Sequence, residues 1–346
     1  MINQNGILSI DKFIETALYD KSLGYYSQKN PFGKRGDFTT SPLISPLFSE
    51  MISIWIISFW IKLGKPNKFS FVELGPGNGA FCKTFCRVLR NFPEFKKSVK
   101  IYLLEKSKKF IKIQKSLIND ENVSWINNLN EVKEGPILFF GNEFFDSIPI
   151  KQFSIKNSKV YEKFLQFEKG KFKKFLFKKA SKKIEKKLSD LKLLKKKGII
   201  EYPESGLKIL KSIIAKIHKF KGGIILVDYG YTKDIWQDTL QSLKSHRQNT
   251  YYKNIGMADI TYLVNFKLLN RFLSKNKLFP NKIVNQGSFL KKLGIIERAE
   301  ILGKGMNFKE KADLYYRLER LVSEKKMGKL FKVLFATNNK IKFNLG

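Results

Sequence analysis

A chain of 346 residues with 43% apolar side chains can bury a sizeable core, and its longest apolar run, MISIWIISFWI at 51–61, stops at Lys62, short of the ~18–20 residues that span a bilayer. The formal net charge of +36 would by itself favour nucleic acid or anionic lipid, yet all but eight of the 66 basic residues are lysine, scattered except for one dense block at 171–197. Phosphate recognition recruits clustered arginine, so a specific nucleic-acid partner is not expected.

The N-terminus lacks a basic, apolar leader and an arginine-rich transit pattern, which predicts cytoplasmic residence. Residues 7–26 open with an amphipathic helix carrying Ile10, Phe13, Ile14, Ala17 and Leu18 on one face and ending at Gly24, Tyr25 and Tyr26. The loop PFGKRGDFTTSP at 31–42 sets Asp37, Thr39, Thr40 and Ser41 within five residues, suited to a lid over a cofactor or to capping the apolar helix at 46–63. FSFVELGPGNGAF at 69–81 then reads as a buried strand running into Gly75, Gly77 and Gly79, with a helix resuming to Leu89. Glycines there let the backbone lie against a ligand, and the helix amides face the same crevice.

Gly75, Gly77 and Ala80 also satisfy a dinucleotide fingerprint. Two details tilt the reading to S-adenosyl-L-methionine: Glu73, two residues before the first glycine, can meet a cationic methionine end, and Gly79 adds a third glycine at alternate spacing. VKIYLLE at 99–105 is a second strand whose closing Glu105 is placed for both ribose hydroxyls, although either acid alone could simply cap a helix. Cys82 and Cys86 read as buried reduced thiols, and with only His218 and His246 beside them no metal site is expected.

NVSWI at 122–126 precedes PILFFGNEFFDSIP at 136–149, the fourth strand of a doubly wound sheet, whose end carries Asn142, Glu143 and Asp146. From 150 to 178 the period becomes two, with turns at Asn157-Ser158 and Lys169-Gly170, predicting an antiparallel meander followed by an exposed basic helix at 181–197. A strand at 199–203 and a helix to about His218 lead to GGIILVDYGY at 222–231, the fifth core strand, ending in Asp228 and Tyr229. The loop-rich stretch 236–266 holds His246, Asp259 and Thr261 and is expected to cover a substrate. Helices at 285–295 and 307–324 and a final strand at 331–336 close the chain.

GDFTTSP, FVELGPGNG, GNEFFDSIP, VDYGY, DTL, ADIT, NQGSFLKKLGI and MGKLFKVLF resemble, in this order and from about residue 11 to 336, the MidA-like methyltransferases, which include a mitochondrial complex I assembly factor. The resemblance implies an α/β class I methyltransferase fold. That fold is a Rossmann-like doubly wound sheet with an N-terminal helical lid, an inserted antiparallel meander and helical insertions. The chain would divide into 1–65 (N-terminal helices and lid loop), 66–149 (first half of the core), 150–197 (meander and basic helix), 198–235 (core continuation), 236–330 (substrate-side helical insertion) and 331–346 (last core strand and tail). It departs from the family pattern at Leu43 and Asn265, where the family has acids, and at Ile255-Gly256, where it has proline-glycine.

By its mitochondrial members the family implies symmetric dimethylation of an arginine on a complex I subunit. Arginine stays protonated and lacks a free lone pair on the attacking nitrogen, so paired carboxylates must grip the guanidinium and free one nitrogen. Glu143 and Asp146 fit that work, with Asp228 as a third acid, Asn142 on both cofactor and acceptor sides, and Tyr229, His246 and Asp259 toward the substrate. Two other readings stand beside it: an RNA methyltransferase holding a base between Asn142 and Phe144, and an assembly protein that binds the cofactor without catalysis. The partners implied are a protein substrate and no inserted membrane segment, with a homodimer left open.

Overall fold

The computed structural model describes residues 6–28, 40–194, 198–244 and 247–339. Its central sheet contains β1 (Phe69–Leu74), β2 (Val99–Leu104), β3 (Val123–Ile126), β4 (Ile137–Asn142), β5 (Gly222–Tyr231) and β6 (Phe331–Thr337). They lie in the order β6-β5-β4-β1-β2-β3, with β1 to β5 parallel and β6 antiparallel to β5. β1 is buried at all six positions and β4 at five of six, as strands covered on both faces must be. The helix Pro46–Lys62 is apolar around most of its circumference because one side packs on the sheet, where Trp55 meets Phe335 edge-on at 4.9 Å, and another meets the helix Ala80–Leu89. Pro46 at its start and the Ser45 hydroxyl, which accepts from the Leu47 amide, define its first turn.

Strand order reverses between β1 and β4. At such a switch point the loops after the two strands diverge to opposite faces and leave a crevice at their carboxyl ends. Register places Glu73 beside Leu103 and Phe140, and Asn142 beside Val227, so the polar strand ends collect at that one edge.

Three expectations about the periphery need correction. Residues 7–9 are not helical: Gly6–Ser9 is a strand paired antiparallel with Phe164–Phe167, and the helix covers only Ile10–Tyr19. Its expected face, Ile10, Phe13, Ile14, Ala17 and Leu18, is the buried one, and the edge of the long meander strand offers unpaired backbone groups that win the preceding residues. Ile199–Tyr202 likewise joins the meander sheet beside Lys151–Lys156, so it does not continue the core. The stretch read as loop-rich contains a small antiparallel sheet of Gln241–Lys244, Arg247–Asn249 and Asp259–Thr261. The meander turns lie where the sequence put them, with positive φ at Asn157, Ser158, Lys169 and Gly170 as primed hairpin turns require.

Candidate active site

A cleft of about 2160 Å³ opens over the carboxyl ends of β1, β2, β4 and β5. At its cofactor end the chain leaves β1 through Gly75 (φ 61°), Gly77 (φ 56°) and Gly79 (φ 85°), all in the left-handed region. Space enforces the choice at two of them. A Cβ on Gly75 would lie 3.1 Å from the Phe144 ring, and one on Gly79 3.0 Å from Ile118 and 3.2 Å from Gln114.

Glu73, inside β1, lines this cleft and is buried. Its Oε2 has no hydrogen-bond partner, and burial pushes its pKa up to about 8. It caps no helix. Glu105 follows β2 directly; one carboxylate oxygen accepts from the Ser107 amide at 2.8 Å and the other from Gln114 Nε2 at 3.4 Å. Capping of the helix Lys108–Leu117 falls to the Ser107 hydroxyl, which leaves Glu105 lining the cleft. Burial raises the Glu105 pKa against the pull of those donors.

The other end is built by the turn after β4. Glu143 holds φ 51°, an uncommon conformation for a non-glycine residue, and its Oε1 accepts both the Ser41 amide and Asn142 Nδ2 at 3.0 Å. Burial lifts its pKa to about 7. Asp146 is 8% exposed; its Oδ2 accepts from the Tyr229 hydroxyl at 2.6 Å while Oδ1 is buried without a partner. Burial, with the nearby charge of Glu143, raises it to about 7.

Asp228 is not the third cleft acid that its position at the end of β5 suggests. It sits beneath the turn, with Oδ2 accepting the Phe145 and Asp146 amides at 2.9 and 3.2 Å and Oδ1 accepting the Tyr229 amide at 2.9 Å. Its side chain holds the backbone that presents Glu143 and Asp146, and burial raises its pKa.

Tyr229, at the end of β5, and Asp259, Thr261 and Thr40 all line the cleft. Asp37, Thr39 and His246 lie outside the described residues. Sequence reasoning assigned no site role to Tyr19 and Tyr26, stacked at 5.4 Å beside Asp259, whose Oδ1 accepts from the Tyr26 hydroxyl at 3.4 Å. Nor did it single out Gln114. Tyr19 at the end of the amphipathic helix and Tyr26 shortly after it are the available signal for the first; nothing local marks the second. Cys82 and Cys86 are buried free thiols. Among the described residues no group of His, Cys, Asp and Glu could hold a metal ion, and no helix is long and apolar enough to cross a membrane.

The residues present fit S-adenosyl-L-methionine. Three buried acceptor atoms without partners, Glu73 Oε2, Asn142 Oδ1 and Asp146 Oδ1, belong to residues that line one cleft and call for hydrogen-bond donors, which for the two carboxylates are best cationic. The glycine turn supplies close backbone approach, and Glu105 stands one strand away from it.

Residues 51–283 match the family described as "Putative S-adenosyl-L-methionine-dependent methyltransferase". The chain is 28% identical to mouse protein arginine methyltransferase NDUFAF7, mitochondrial, over 95% of its own length and 81% of that protein's. It is also 28% identical to the zebrafish protein of the same name, over 96% of this chain and 84% of the relative. A protein from Burkholderia thailandensis, crystallised with S-adenosyl-homocysteine bound, superposes with a TM-score of 0.80 at 22% identity, covering 96% of this chain and 88% of the other, and shows the same fold. The expectation of cytoplasmic residence is corrected by these relatives, which are mitochondrial by name.

Proposed function

We infer the acceptor from the premise that the chain belongs to the MidA-like family of S-adenosyl-L-methionine-dependent methyltransferases: it is an arginine side chain on a protein. The observation that carries this is the pair Glu143 and Asp146, two carboxylates with pKa near 7 on one turn beside the cofactor end, one of them with an unpartnered oxygen. A turn that keeps two buried acids at the edge of ionisation is suited to a cation, whose charge would draw both to the ionised form.

The cofactor supplies an electrophilic methyl on a sulfonium. The protein has to orient, desolvate and deprotonate the acceptor. In this reading Glu73 takes the ammonium of the cofactor, Gly75 and Gly77 bring backbone against it, and Glu105 takes the ribose. Glu143 Oε1 is already committed to Ser41 and Asn142, so Oε2 faces the guanidinium. Asp146 Oδ1 accepts the proton leaving the attacking nitrogen while Tyr229 holds Oδ2. The strand-rich segment around Asp259 and the tyrosine pair Tyr19 and Tyr26 wall the acceptor side.

Two finer points belong to the same proposal: the two methyls are placed symmetrically, and the target is a subunit of respiratory complex I, as the family resemblance implies. The relatives' name, protein arginine methyltransferase, supports the acceptor class. The test is to incubate the protein with cofactor labelled in the methyl group and a lysate of its own host lacking the gene. Label in methylarginine after acid hydrolysis supports the reading; label only in RNA overturns it.

A further inference from the structure

Gln114 is fully buried on the helix Lys108–Leu117 and reaches both halves of the cofactor end of the cleft. Its Nε2 donates to the Gly77 carbonyl at 2.7 Å and to Glu105 Oε2 at 3.4 Å, and its Oε1 accepts from Trp125 Nε1 at 2.9 Å. An indole N–H can only donate. The amide oxygen must therefore face Trp125, on β3, and both amide hydrogens are left to face the glycine turn and the acid. A flipped amide would set donor against donor at the indole and oxygen against carboxylate at Glu105.

Packing alone does not ask for this side chain. An apolar residue would fill the space without the cost of burying an amide, so the polarity is there for its partners. The glycine turn is shaped around it as well, since a Cβ at Gly79 would lie 3.2 Å from Gln114 Cγ.

We infer that Gln114 is the positioning residue of the cofactor pocket, locking the Gly77 carbonyl and the Glu105 carboxylate at a fixed separation so that the acid meets both ribose hydroxyls. This rests on the reading that Glu105 holds the ribose of S-adenosyl-L-methionine. Electrostatics add to it. Burial pushes the Glu105 acid up, and the Gln114 donor is one of the groups that pulls it back toward the ionised form. Without that donor the acid holds its proton to higher pH and loses its charge-assisted grip on one hydroxyl.

The experiment is calorimetric titration of the full chain and its Gln114→Met variant with S-adenosylhomocysteine and with its 2′,3′-dideoxyribose analogue, from pH 6 to 9. Met keeps the bulk and removes both donors. The variant should bind S-adenosylhomocysteine about tenfold to thirtyfold more weakly, with the deficit shrinking as pH rises, and the dideoxy analogue should weaken by less than about threefold. Equal losses for the two ligands at every pH, or no loss, would overturn the inference. Should Gln114→Met not fold, Gln114→Glu keeps the acceptor for Trp125 but sets an acid beside Glu105, so its deficit should grow as pH rises; a deficit that shrinks refutes the scheme. None of these titrations involves the acceptor, so the arginine assignment can fail independently. Loss of binding in Glu105→Gln but not in Gln114→Met would sink this inference and leave the role of Glu105 standing.

Discussion

Replacing Glu143 by Gln separates the acceptor chemistry from everything else in the site. In the folded protein Glu143 Oε1 receives the Ser41 amide and Asn142 Nδ2, and Gln can keep both with its carbonyl oxygen. That choice turns the new NH₂ toward the place of the guanidinium, where donor faces donor. Burial has moved the acid from 4.5 to about 7, so ionising it costs ~3 kcal/mol more than in water, which a bound cation would largely offset. A neutral amide has nothing to offset and cannot localise charge on the acceptor. Methyl transfer to a substrate protein should therefore fall at least about a hundredfold, or roughly 2.7 kcal/mol of barrier, with cofactor affinity nearly unchanged. The pH dependence carries a second signature. Both acids are protonated below their pKa values and useful above them, so kcat/KM should rise with pH through about 7 with a limiting slope near two in wild type and near one in Glu143→Gln. Labelled transfer across pH 5.5 to 8.5 measures both. Wild-type rates in Glu143→Gln and in Asp146→Asn, or identical slopes, would refute the assignment.

The cofactor end makes its own demand: the protein should bind S-adenosylhomocysteine and not NAD by calorimetry, Gly77→Val should abolish that binding, and Glu105→Ala should weaken it by roughly 1 to 3 kcal/mol; tight NAD binding with none to the thioether would refute the glycine-turn reading. Nucleic acid should bind only weakly and without sequence preference, at micromolar or poorer affinity with a steep salt slope, and nanomolar binding that survives about 0.2 M salt would instead favour an RNA substrate. Glu73 has a folded pKa raised to about 8, so its protonated form stabilises the fold below the unfolded value near 4.3, and that contribution is lost as pH rises through about 8. Without ligand, Glu73→Gln should melt higher than wild type at pH 8.5, with the gap closing toward pH 5.5; a gap that widens on acidification would show that Glu73 is not held neutral.

What the sequence reveals divides along the range of the interactions. The strand-glycine-helix turn is local: burial of β1, three alternate glycines at positive φ and an apolar helix after them are each written in adjacent residues, and the structure reproduces them. Asp228 shows the opposite case. Its place at a strand end is legible, but the three backbone amides that consume its oxygens belong to Phe145, Asp146 and Tyr229, two of them more than eighty positions away. Gln114 is hidden for the same reason, because its partners at Gly77, Glu105 and Trp125 come together only when three strand ends align. The first residues paired as a strand since an open edge of the meander was available to them, a fact of tertiary context that no periodicity in 6–9 could announce.

Departures from the family pattern become intelligible on the same terms. Asn265 replaces an acid, which as a sequence fact casts doubt on the substrate side. In the fold it is the N-cap of the helix Phe266–Lys275, and its side-chain oxygen accepts the Leu268 amide at 3.0 Å. An amide oxygen caps a helix about as well as a carboxylate, so the change keeps the local structure and removes only a charge. Ile255-Gly256 stands where the family has proline-glycine, and the half that is kept is the constrained one. Gly256 holds φ 75°, and a Cβ there would lie 2.0 Å from the Leu23 carbonyl, whereas Ile255 loses only the rigidity of a proline. Neither position contributes a side chain to the cleft. Of the acids that line the cleft, Glu73, Glu105, Glu143, Asp146 and Asp259 are the ones the proposed chemistry assigns to the cofactor or to a cationic acceptor, so both departures lie outside the part of the site that the proposal uses.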